Sequence, residues 1–273
     1  MGVQQARRAP GRGITATDTI SPASHGAVTQ LPLERGAHMQ LADACAGVPA
    51  YLKETYAWAY LNPHTLGWLD HPWVVTAILF GNYQRLQRAL LTEVDPGMRV
   101  LQAACVYGDL SENLAKRLGA NGQLDVIDVA QLQVRNCKRK LRDFPHARIW
   151  VADAATWHGG LYDVVACFFL LHELPDDYKR RVVNALLSSV PPGGAVVFVD
   201  YHKPHIANPL TLPLSFVFDK LEPYAKSLWQ NEIAAFASEP AQFAWSKRSY
   251  FGGVYQKVVA RRLDAGDENE LRP

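Results

Sequence analysis

The feature that most constrains the fold of this chain is a regular alternation of short apolar segments with helical patterns across roughly residues 99–200. The apolar segments have the length and composition of buried β-strands, and the stretches between them have the spacing of amphipathic helices. Because each crossover returns the chain in the same direction, the alternation predicts an α/β fold with a doubly wound, mostly parallel sheet. The predicted strands span 99–105, 122–128, 147–151, 162–169 and 195–200, and the predicted helices span 110–118, 131–142 and 176–190.

The sequence before this region divides into two parts. Residues 1–45 are rich in Gly, Ala, Ser, Thr and Arg and have no periodicity, which predicts a mostly disordered leader. Residues 46–95 are aromatic with helical spacing, and they predict a helical cap ahead of the sheet. Prolines predict breaks in this cap near residues 62–63 and 71–72, followed by a helix over 73–91 in which Gly81 is a weak point.

The sheet domain itself is predicted to span residues 96–262. Within it, residues from about 203 to 237 are rich in Pro and Phe, and their apolar stretch at 209–218 predicts either part of the core or a lid over a lipophilic substrate. Alternating residues near 250–262 predict closing antiparallel strands, and residues 263–273 predict a flexible tail.

Composition excludes several classes of protein. Apolar residues make up 48% of the chain and charged residues 20%, which excludes a disordered or coiled-coil protein. A net charge of +2 argues against nucleic acid as a partner, and no uncharged apolar run reaches the ~18 residues needed to cross a bilayer. The cysteines form no C-x-x-C pair, which argues against a zinc or redox site and predicts reduced thiols in a cytosolic protein; they are Cys45, Cys105, Cys137 and Cys167.

Residues 102–111 follow the first predicted strand, where class I S-adenosylmethionine (SAM) enzymes have a glycine-rich turn of the form h-h-D-x-G-x-G-x-G. Glycines there let the backbone approach the ligand. Only Gly108 is a glycine here, Gln102 replaces the acidic residue, and Tyr107 stands where a small residue is expected. Taken alone, this segment is equally compatible with an ordinary strand-to-helix turn.

The residues at two further strand ends predict an adenosyl ligand. Asp128 ends the second predicted strand 20 residues after Gly108, where a carboxylate can accept hydrogen bonds from both ribose hydroxyls. Asp153 ends the third strand, where it can contact the adenine amino group. With the neighbouring Val129 and Ala154, these residues predict one cofactor crevice at the carboxyl ends of the strands.

Electrostatics favours SAM over NAD as the ligand. NAD places a diphosphate on the helix that follows the first strand. Asp109 and Glu112 lie at the start of that helix and would repel a diphosphate. The sulfonium and ammonium groups of SAM tolerate nearby carboxylates.

His172 and Glu173 follow the fourth predicted strand and are expected beside the cofactor. His172 is a candidate general acid or base, and the pair is a candidate set of ligands for a hard divalent metal ion. The alternative is structural, with His172 packed in the core and Glu173 starting the next helix. Tyr107 is a second catalytic candidate, since its phenol is expected to point into the crevice and contact substrate.

At this point the sequence resembles known families. Pro-Pro-Gly-Gly at 191–194, before a strand ending in Asp-Tyr-His-Lys-Pro at 200–204, is similar to the ubiquinone/menaquinone C-methyltransferases. The altered turn at 102–111 is more similar to the rhodoquinone biosynthesis proteins (RquA), as are the aromatic segments at 55–60, 78–83 and 249–253. The resemblance covers about residues 50–262.

The resemblance implies a class I SAM-methyltransferase fold whose enzyme replaces a ring methoxy group of ubiquinone with an amino group. It further implies SAM as the amino donor, a requirement for Mn²⁺, a membrane-resident ubiquinone substrate and peripheral association with the cytoplasmic side of the inner membrane. Tyr107, Gly108, Asp128 and Asp153 are the positions that carry over, whereas manganese ligation by His172 and Glu173 is a separate hypothesis.

The sequence leaves two alternative functions open. One is a SAM-dependent methyltransferase acting on a polyprenylated quinone or a similar lipophilic ring. The other is a non-catalytic protein of the same fold that binds enzymes of the quinone pathway. The sequence leaves the oligomeric state open.

Overall fold

The structure is a computed structural model that describes residues 48–56 and 67–264. The predicted leader, the predicted helix break at 62–63 and Cys45 lie outside the described residues. So does the predicted tail from residue 265 onward.

A seven-stranded sheet forms the centre of the described chain, and its strands are β1 (Arg99–Ala103), β2 (Gln123–Asp128), β3 (Ala147–Val151), β4 (Val164–Phe168), β5 (Ala195–Tyr201), β6 (Phe243–Tyr250) and β7 (Tyr255–Arg262). The spatial order is β3-β2-β1-β4-β5-β7-β6. Strands β1 to β5 are parallel, and β7 pairs antiparallel with both β5 and β6. The predicted doubly wound α/β class is confirmed.

The α-helices are α1 (Ala50–Thr55), α2 (Pro72–Ile78), α3 (Tyr83–Leu91), α4 (Leu110–Leu118), α5 (Gln131–Lys140), α6 (Asp176–Ser188), α7 (Thr211–Leu221) and α8 (Ser227–Gln230). Short 3-10 turns span Ala154–Thr156, Leu171–Glu173, Ile233–Phe236 and Pro240–Gln242. Helices α4, α5 and α6 connect the parallel strands, and α7 and α8 lie between β5 and β6 in the chain.

The predicted helix over 73–91 is wrong, because the structure divides it into α2 and α3. Phe80 and Gly81 lie between the two helices at φ values of 50° and 79°. A left-handed backbone cannot continue an α-helix. The Asn82 side chain donates hydrogen bonds to the carbonyl oxygens of Leu79 and Phe80, which stabilises the break.

The two faces of the sheet are packed into separate apolar cores. Along β1, Val100 belongs to one core and Leu101 to the other, as the two-residue period of a strand requires. All five residues of β4 are buried, in agreement with its continuous apolar sequence. The sheet is therefore covered on both sides, which leaves its carboxyl edge as the place for a site.

One local prediction needs adjustment. Strand β1 ends at Ala103, so Cys105 lies in the loop that follows the strand rather than within it. Cys105, Cys137 and Cys167 are free and buried, as predicted for the thiols within the described residues.

The segment predicted as a lid contains α7, whose Leu214 and Phe218 are buried against the core. That this segment closes over a substrate stays a prediction. Among the described residues, no helix combines the length and apolar character required to cross a membrane.

Candidate functional site

The site lies where the strand order reverses, between β1 and β4. In open α/β sheets, ligands bind at the carboxyl ends of the strands beside such a reversal. Two adjoining cavities lie there, with empty volumes of about 1200 Å³, counting space open to solvent, and about 290 Å³. Ala104, Asp128, Val129 and Leu170 line both cavities, so they form one crevice with a large and a small compartment.

Asp128 is the polar residue of the wall that the two compartments share. Its carboxylate accepts hydrogen bonds from the backbone N–H of Cys105 at 3.0 Å and of Ala130 at 2.7 Å. Burial raises the pKa of Asp128 to about 7, and these two N–H donors oppose the rise. Each carboxylate oxygen retains a lone pair, so Asp128 can also accept hydrogen bonds from a ligand's hydroxyl groups.

Asp153 lines the small compartment together with Ala154. One oxygen of its carboxylate accepts a hydrogen bond from the backbone N–H of Ala155, and the other accepts one from the hydroxyl of Tyr178. Tyr51 of α1 packs edge-on against the Tyr178 ring, with 5.0 Å between centroids, and lines both compartments. Helix α1 therefore covers this side of the crevice.

Gly108 has a structural role beside the crevice and is not among the residues that line it. Its φ is 88°, and a Cβ there would collide with the Tyr83 side chain. The Tyr83 hydroxyl accepts hydrogen bonds from the backbone N–H of Asp109 and Leu110. Asp70 accepts one from the Gly108 N–H at 3.1 Å. Gly108 thus leaves room for the Tyr83 side chain of the helical cap, and the cap holds the loop through these hydrogen bonds.

Gln102 does not reach either compartment. It is fully buried in β1, and its side-chain amide donates to the carbonyl oxygen of Ala104 at 2.9 Å. Tyr107 does line the large compartment. Its hydroxyl accepts a hydrogen bond from Gln133 at 3.0 Å, and burial raises the pKa of the phenol above its ordinary value.

His172 lines the large compartment and is held by Asp200 at the end of β5. The His172 Nδ1 lies 2.9 Å from an Asp200 carboxylate oxygen, and the backbone N–H of Leu171 donates to the other oxygen at 2.8 Å. Burial alone would lower the pKa of His172, but the charge and hydrogen bond of Asp200 raise it to about 9. The imidazole is therefore protonated near neutral pH and acts as a hydrogen-bond donor.

Glu222 and Tyr56 form a second polar pair in the large compartment. The Tyr56 hydroxyl donates to a Glu222 carboxylate oxygen at 2.7 Å. Burial raises the pKa of Glu222, while the nearby His172 opposes this rise. The two residues are 166 positions apart in the sequence, and no spacing or motif could have paired them.

The rest of the large compartment is apolar and aromatic. Phe169 lines it at a φ of 51°, a conformation that is costly for a bulky residue. Its ring contacts those of Tyr201 and His172, with 5.3 and 5.9 Å between centroids. A compartment of this composition suits a flat, lipophilic ring.

The described residues do not support the predicted manganese site. They contain no group of three or more His, Cys, Asp or Glu side chains arranged to hold a metal ion. The His172 Nε2 does lie 3.9 Å from a Glu173 oxygen, but the imidazole binds Asp200 through Nδ1 and its raised pKa favours the protonated form. A metal ligand must be deprotonated.

Most of the predicted site residues therefore converge on one crevice; Tyr107, Asp128, Val129, Asp153, Ala154, His172 and Glu173 line it, whereas Gln102 and Gly108 do not. The residues missed by sequence reasoning come mainly from the helical cap and from α6, and include Tyr51, Tyr56 and Tyr178.

Comparison with known sequences agrees with this geometry. Residues 100–194 match a methyltransferase domain family. A ubiquinone/menaquinone biosynthesis C-methyltransferase of Idiomarina loihiensis is 30% identical over 113 residues, which cover 40% of this chain and 44% of the relative. A ubiquinone biosynthesis O-methyltransferase of Cronobacter sakazakii is 37% identical over 107 residues, or 37% of this chain and 42% of the relative. The chain thus spans less than half the length of these two curated relatives.

Solved structures show the same fold. An N-methyltransferase of Bradyrhizobium japonicum in complex with S-adenosylhomocysteine aligns with a TM-score of 0.53 at 15% identity, covering 74% of this chain and 94% of that one. Human N-acetylserotonin methyltransferase in complex with SAM also aligns with a TM-score of 0.53, at 17% identity, covering 82% and 66%. The fold is the Rossmann-like fold of class I SAM-dependent methyltransferases.

Proposed function

We propose that this chain is a SAM-dependent transferase acting on a lipophilic quinone. The observation that carries the proposal is the position of Asp128, which lines both a small compartment and a large aromatic one. This arrangement would place an adenosyl ligand next to a ring substrate. The names of the two curated relatives, both enzymes of quinone biosynthesis, support the substrate class.

Asp128 and Asp153 are the residues that would hold SAM, through its ribose hydroxyls and its adenine amino group. Their carboxylates retain acceptor capacity, and the crevice wall between them is lined by Val129 and Ala154. Bound SAM would supply either an electrophilic methyl group or an amine. The chain's own residues would orient the two reactants and exclude water.

The specific reaction we propose is the replacement of a ring methoxy group of ubiquinone by an amino group derived from SAM. The ring carbon that bears methoxy is electrophilic, and addition of an amine places negative charge on a quinone oxygen. The His172 imidazolium, fixed by Asp200 and lining the large compartment, is a suitable donor to that oxygen. The methoxy group would leave as methanol after taking up a proton, which leaves the nitrogen bonded to both the ring and the α-carbon of the donor. The quinone would then oxidise this C–N bond to an imine and would itself be reduced to the hydroquinone. Hydrolysis of the imine by water would free the ring amino group and release the donor as its 2-oxo acid.

The altered turn supports amination. Val106 and Tyr107 line the large compartment at positions where a glycine-rich turn has small residues. Their bulk favours a different placement of the methionine part of SAM, with its amine toward the ring. The finer parts of this proposal, namely the membrane-resident substrate and a location at the cytoplasmic face of the inner membrane, depend on the resemblance to rhodoquinone biosynthesis proteins.

Methyl transfer to a quinone precursor is the second candidate, and the named relatives and the matched methyltransferase domain favour it. Methylation of a ring hydroxyl or ring carbon requires a base. Glu222, which is buried in the large compartment with Tyr56 as its hydrogen-bond donor, could remove that proton.

An isotope experiment separates these reactions. The purified chain is incubated with ubiquinone and SAM that carries ¹³C in its methyl group and ¹⁵N in its amino group, and the quinone is analysed by mass spectrometry. Amination predicts ¹⁵N in the product with loss of one methoxy group, whereas ¹³C in the product would establish methyl transfer instead. Absence of both labels together with absence of SAM binding would favour the non-catalytic alternative.

A variant sharpens the test of the turn. Val106→Gly should raise the ratio of methyl to amino transfer if the bulk of the turn controls the placement of SAM. An unchanged ratio with unchanged SAM affinity would contradict this explanation without affecting the proposed substrate.

A further inference from the structure

The exposed apolar side chains of the described residues are concentrated in two segments. Of the ten large apolar residues that are exposed, nine lie within residues 68–80 and 206–221. The tenth, Leu161, precedes β4 and so lies toward the opposite edge of the sheet from the crevice. A concentration of exposed apolar side chains on a protein surface marks a site of interaction.

The first segment lines the large compartment, and the second segment adjoins it. Ile78 at the end of α2 lines the compartment and is itself 50% exposed. Helix α7 ends at Leu221, immediately before Glu222, which also lines it. The inner residue Phe218 contacts the Tyr201 ring, with 4.9 Å between centroids. The exposed apolar residues therefore lie on elements that border the compartment that would hold the ring.

The two segments are neighbours in space. The Phe80 ring stacks on Phe251 with 6.1 Å between centroids. The carbonyl oxygen of Phe251 accepts a hydrogen bond from Asn208, and that of Gly252 accepts one from the backbone N–H of His205. Phe80 thus lies beside the chain that carries the fully exposed Ile206 and continues into α7.

Helix α7 is apolar on its outer side as well as its inner side. Leu214 and Phe218 are buried, whereas Leu212 and Phe216, one turn apart, are 82% and 66% exposed. A surface helix of a soluble protein has a polar outer face, so this pattern requires an apolar environment outside the chain. We define the apolar rim as Trp73, Ile78, Phe80, Ile206, Leu212 and Phe216.

The charges around the rim fit a membrane surface. No Asp or Glu occurs in residues 71–92 or in residues 201–218, whereas these stretches contain Arg85, Arg88 and Lys203. Asp70, at the border of the first stretch, is paired with Lys140 at 2.7 Å, and Asp219, at the border of the second, is exposed and paired with Lys226 at 2.6 Å. Aromatic and aliphatic side chains bordered by cations are the composition that enters the interface of an anionic bilayer.

We propose that the apolar rim docks the protein on an anionic lipid bilayer and places the mouth of the large compartment against the membrane. A lipophilic ring would then pass from the bilayer into the compartment without crossing water. This inference deepens the proposed function, because it explains how a membrane-resident quinone reaches the site, but the docking itself does not require that function.

The test measures binding of the full chain to vesicles without quinone, using phosphatidylcholine alone and phosphatidylcholine mixed with phosphatidylglycerol. We expect binding to be stronger with phosphatidylglycerol. The double variant Leu212→Ser/Phe216→Ser should weaken the partition coefficient by about tenfold or more, since both side chains would lose burial in the interface. The matched control Leu161→Ser removes an exposed leucine outside the rim and should bind like the unmodified chain.

The proposal would be overturned if the unmodified chain did not bind vesicles, or if the Leu161→Ser control lost as much vesicle binding as the rim variant. A change of oligomeric state in the rim variant without lipid would also overturn it, because the rim would then be the contact with a second copy of the chain. Turnover of a short-tailed, water-soluble quinone is measured in parallel. Vesicle binding without turnover would reject the proposed function but leave the docking proposal standing. Turnover without rim-dependent binding would reject the docking proposal but leave the proposed function standing.

Discussion

The two compartments of the crevice hold their polar groups in different ways. In the small compartment, Asp128 and Asp153 accept hydrogen bonds from the backbone N–H groups of residues two positions later, Ala130 and Ala155. In the large compartment, His172 and Asp200 are 28 positions apart, and Tyr56 and Glu222 are 166 apart. The first set combines these local turns with one longer-range partner for each aspartate, the Cys105 N–H and the Tyr178 hydroxyl, which lie 23 and 25 positions away. The second set depends wholly on long-range packing.

The compartments also differ in electrostatics. Burial raises the pKa of Asp128 to about 7, so this group is only partly ionised near neutral pH. It can still accept hydrogen bonds from hydroxyl groups. Burial alone would lower the pKa of His172, but Asp200 raises it to about 9, which maintains a cation where a quinone oxygen would lie. The difference indicates a binding role for the small compartment and a chemical role for the large one.

The largest effect is expected from Asp200→Asn. Without the carboxylate, burial should lower the pKa of His172, and the proposed donor would be lost near neutral pH. We expect kcat to fall about 100-fold, within the usual range for loss of a general acid. The imidazole pKa is measured by NMR titration and kcat by quinone product formation. Glu222→Gln is the matched control for the imidazole pKa alone, since Glu222 raises the pKa of His172 less than Asp200 does and is itself the base proposed for methyl transfer.

The same variant changes how stability depends on pH. Because the pKa of His172 is raised in the folded state, its stabilising effect is fully present below pH 6.5 and is lost as pH rises through about 9. Urea unfolding of the unmodified chain should therefore show this loss, and Asp200→Asn should show less of it. An unchanged His172 pKa in the variant would contradict the proposed pairing.

The second prediction concerns the small compartment. Asp128→Asn should weaken SAM binding by about 10- to 100-fold, since hydrogen bonds to a charged group contribute about 1.5–3 kcal/mol. Calorimetric titration measures the affinity, which in the unmodified chain should increase as pH rises through about 7 and Asp128 ionises. Asp125→Asn, on the same strand, removes a buried carboxylate that bonds to Tyr162 and should leave the affinity unchanged. Equal affinity for Asp128→Asn and the unmodified chain would reject the cofactor site.

The sequence predicted the small compartment better than the large one for a physical reason. A doubly wound sheet brings the ends of successive strands to one edge, so Asp128 and Asp153 could be placed from the strand pattern alone. Gly108 could be found by its spacing, but its role could not, because the Tyr83 side chain that it accommodates belongs to the helical cap. The predicted helix over 73–91 failed at Phe80 and Gly81. Gly81 is a weak helix former that the sequence does show, whereas Phe80 has no helix-breaking character and nevertheless has a left-handed backbone.

The large compartment was only partly predictable. His172 was found because it follows a strand, but its partner Asp200 ends another strand, and the protonation state depends on burial that the sequence does not show. Tyr56 and Glu222 lie in the cap and after α7, two elements whose contact depends on tertiary packing. Manganese ligation was inferred from residue types alone, and in the described residues the hydrogen bonds of those side chains argue against it.

The smallest effect is expected from Tyr178→Phe, which removes one hydrogen bond to Asp153. If Asp153 contacts the adenine amino group, loss of this support should weaken S-adenosylhomocysteine binding by about three- to tenfold, which is the range of the net contribution of one hydrogen bond. S-Inosylhomocysteine has no amino group at that position and should bind the variant and the unmodified chain equally. Tyr162→Phe removes a comparable bond to Asp125, outside the crevice, and should affect neither ligand. An equal loss for both ligands would mean that Tyr178 supports the shape of the small compartment rather than recognition of adenine by Asp153.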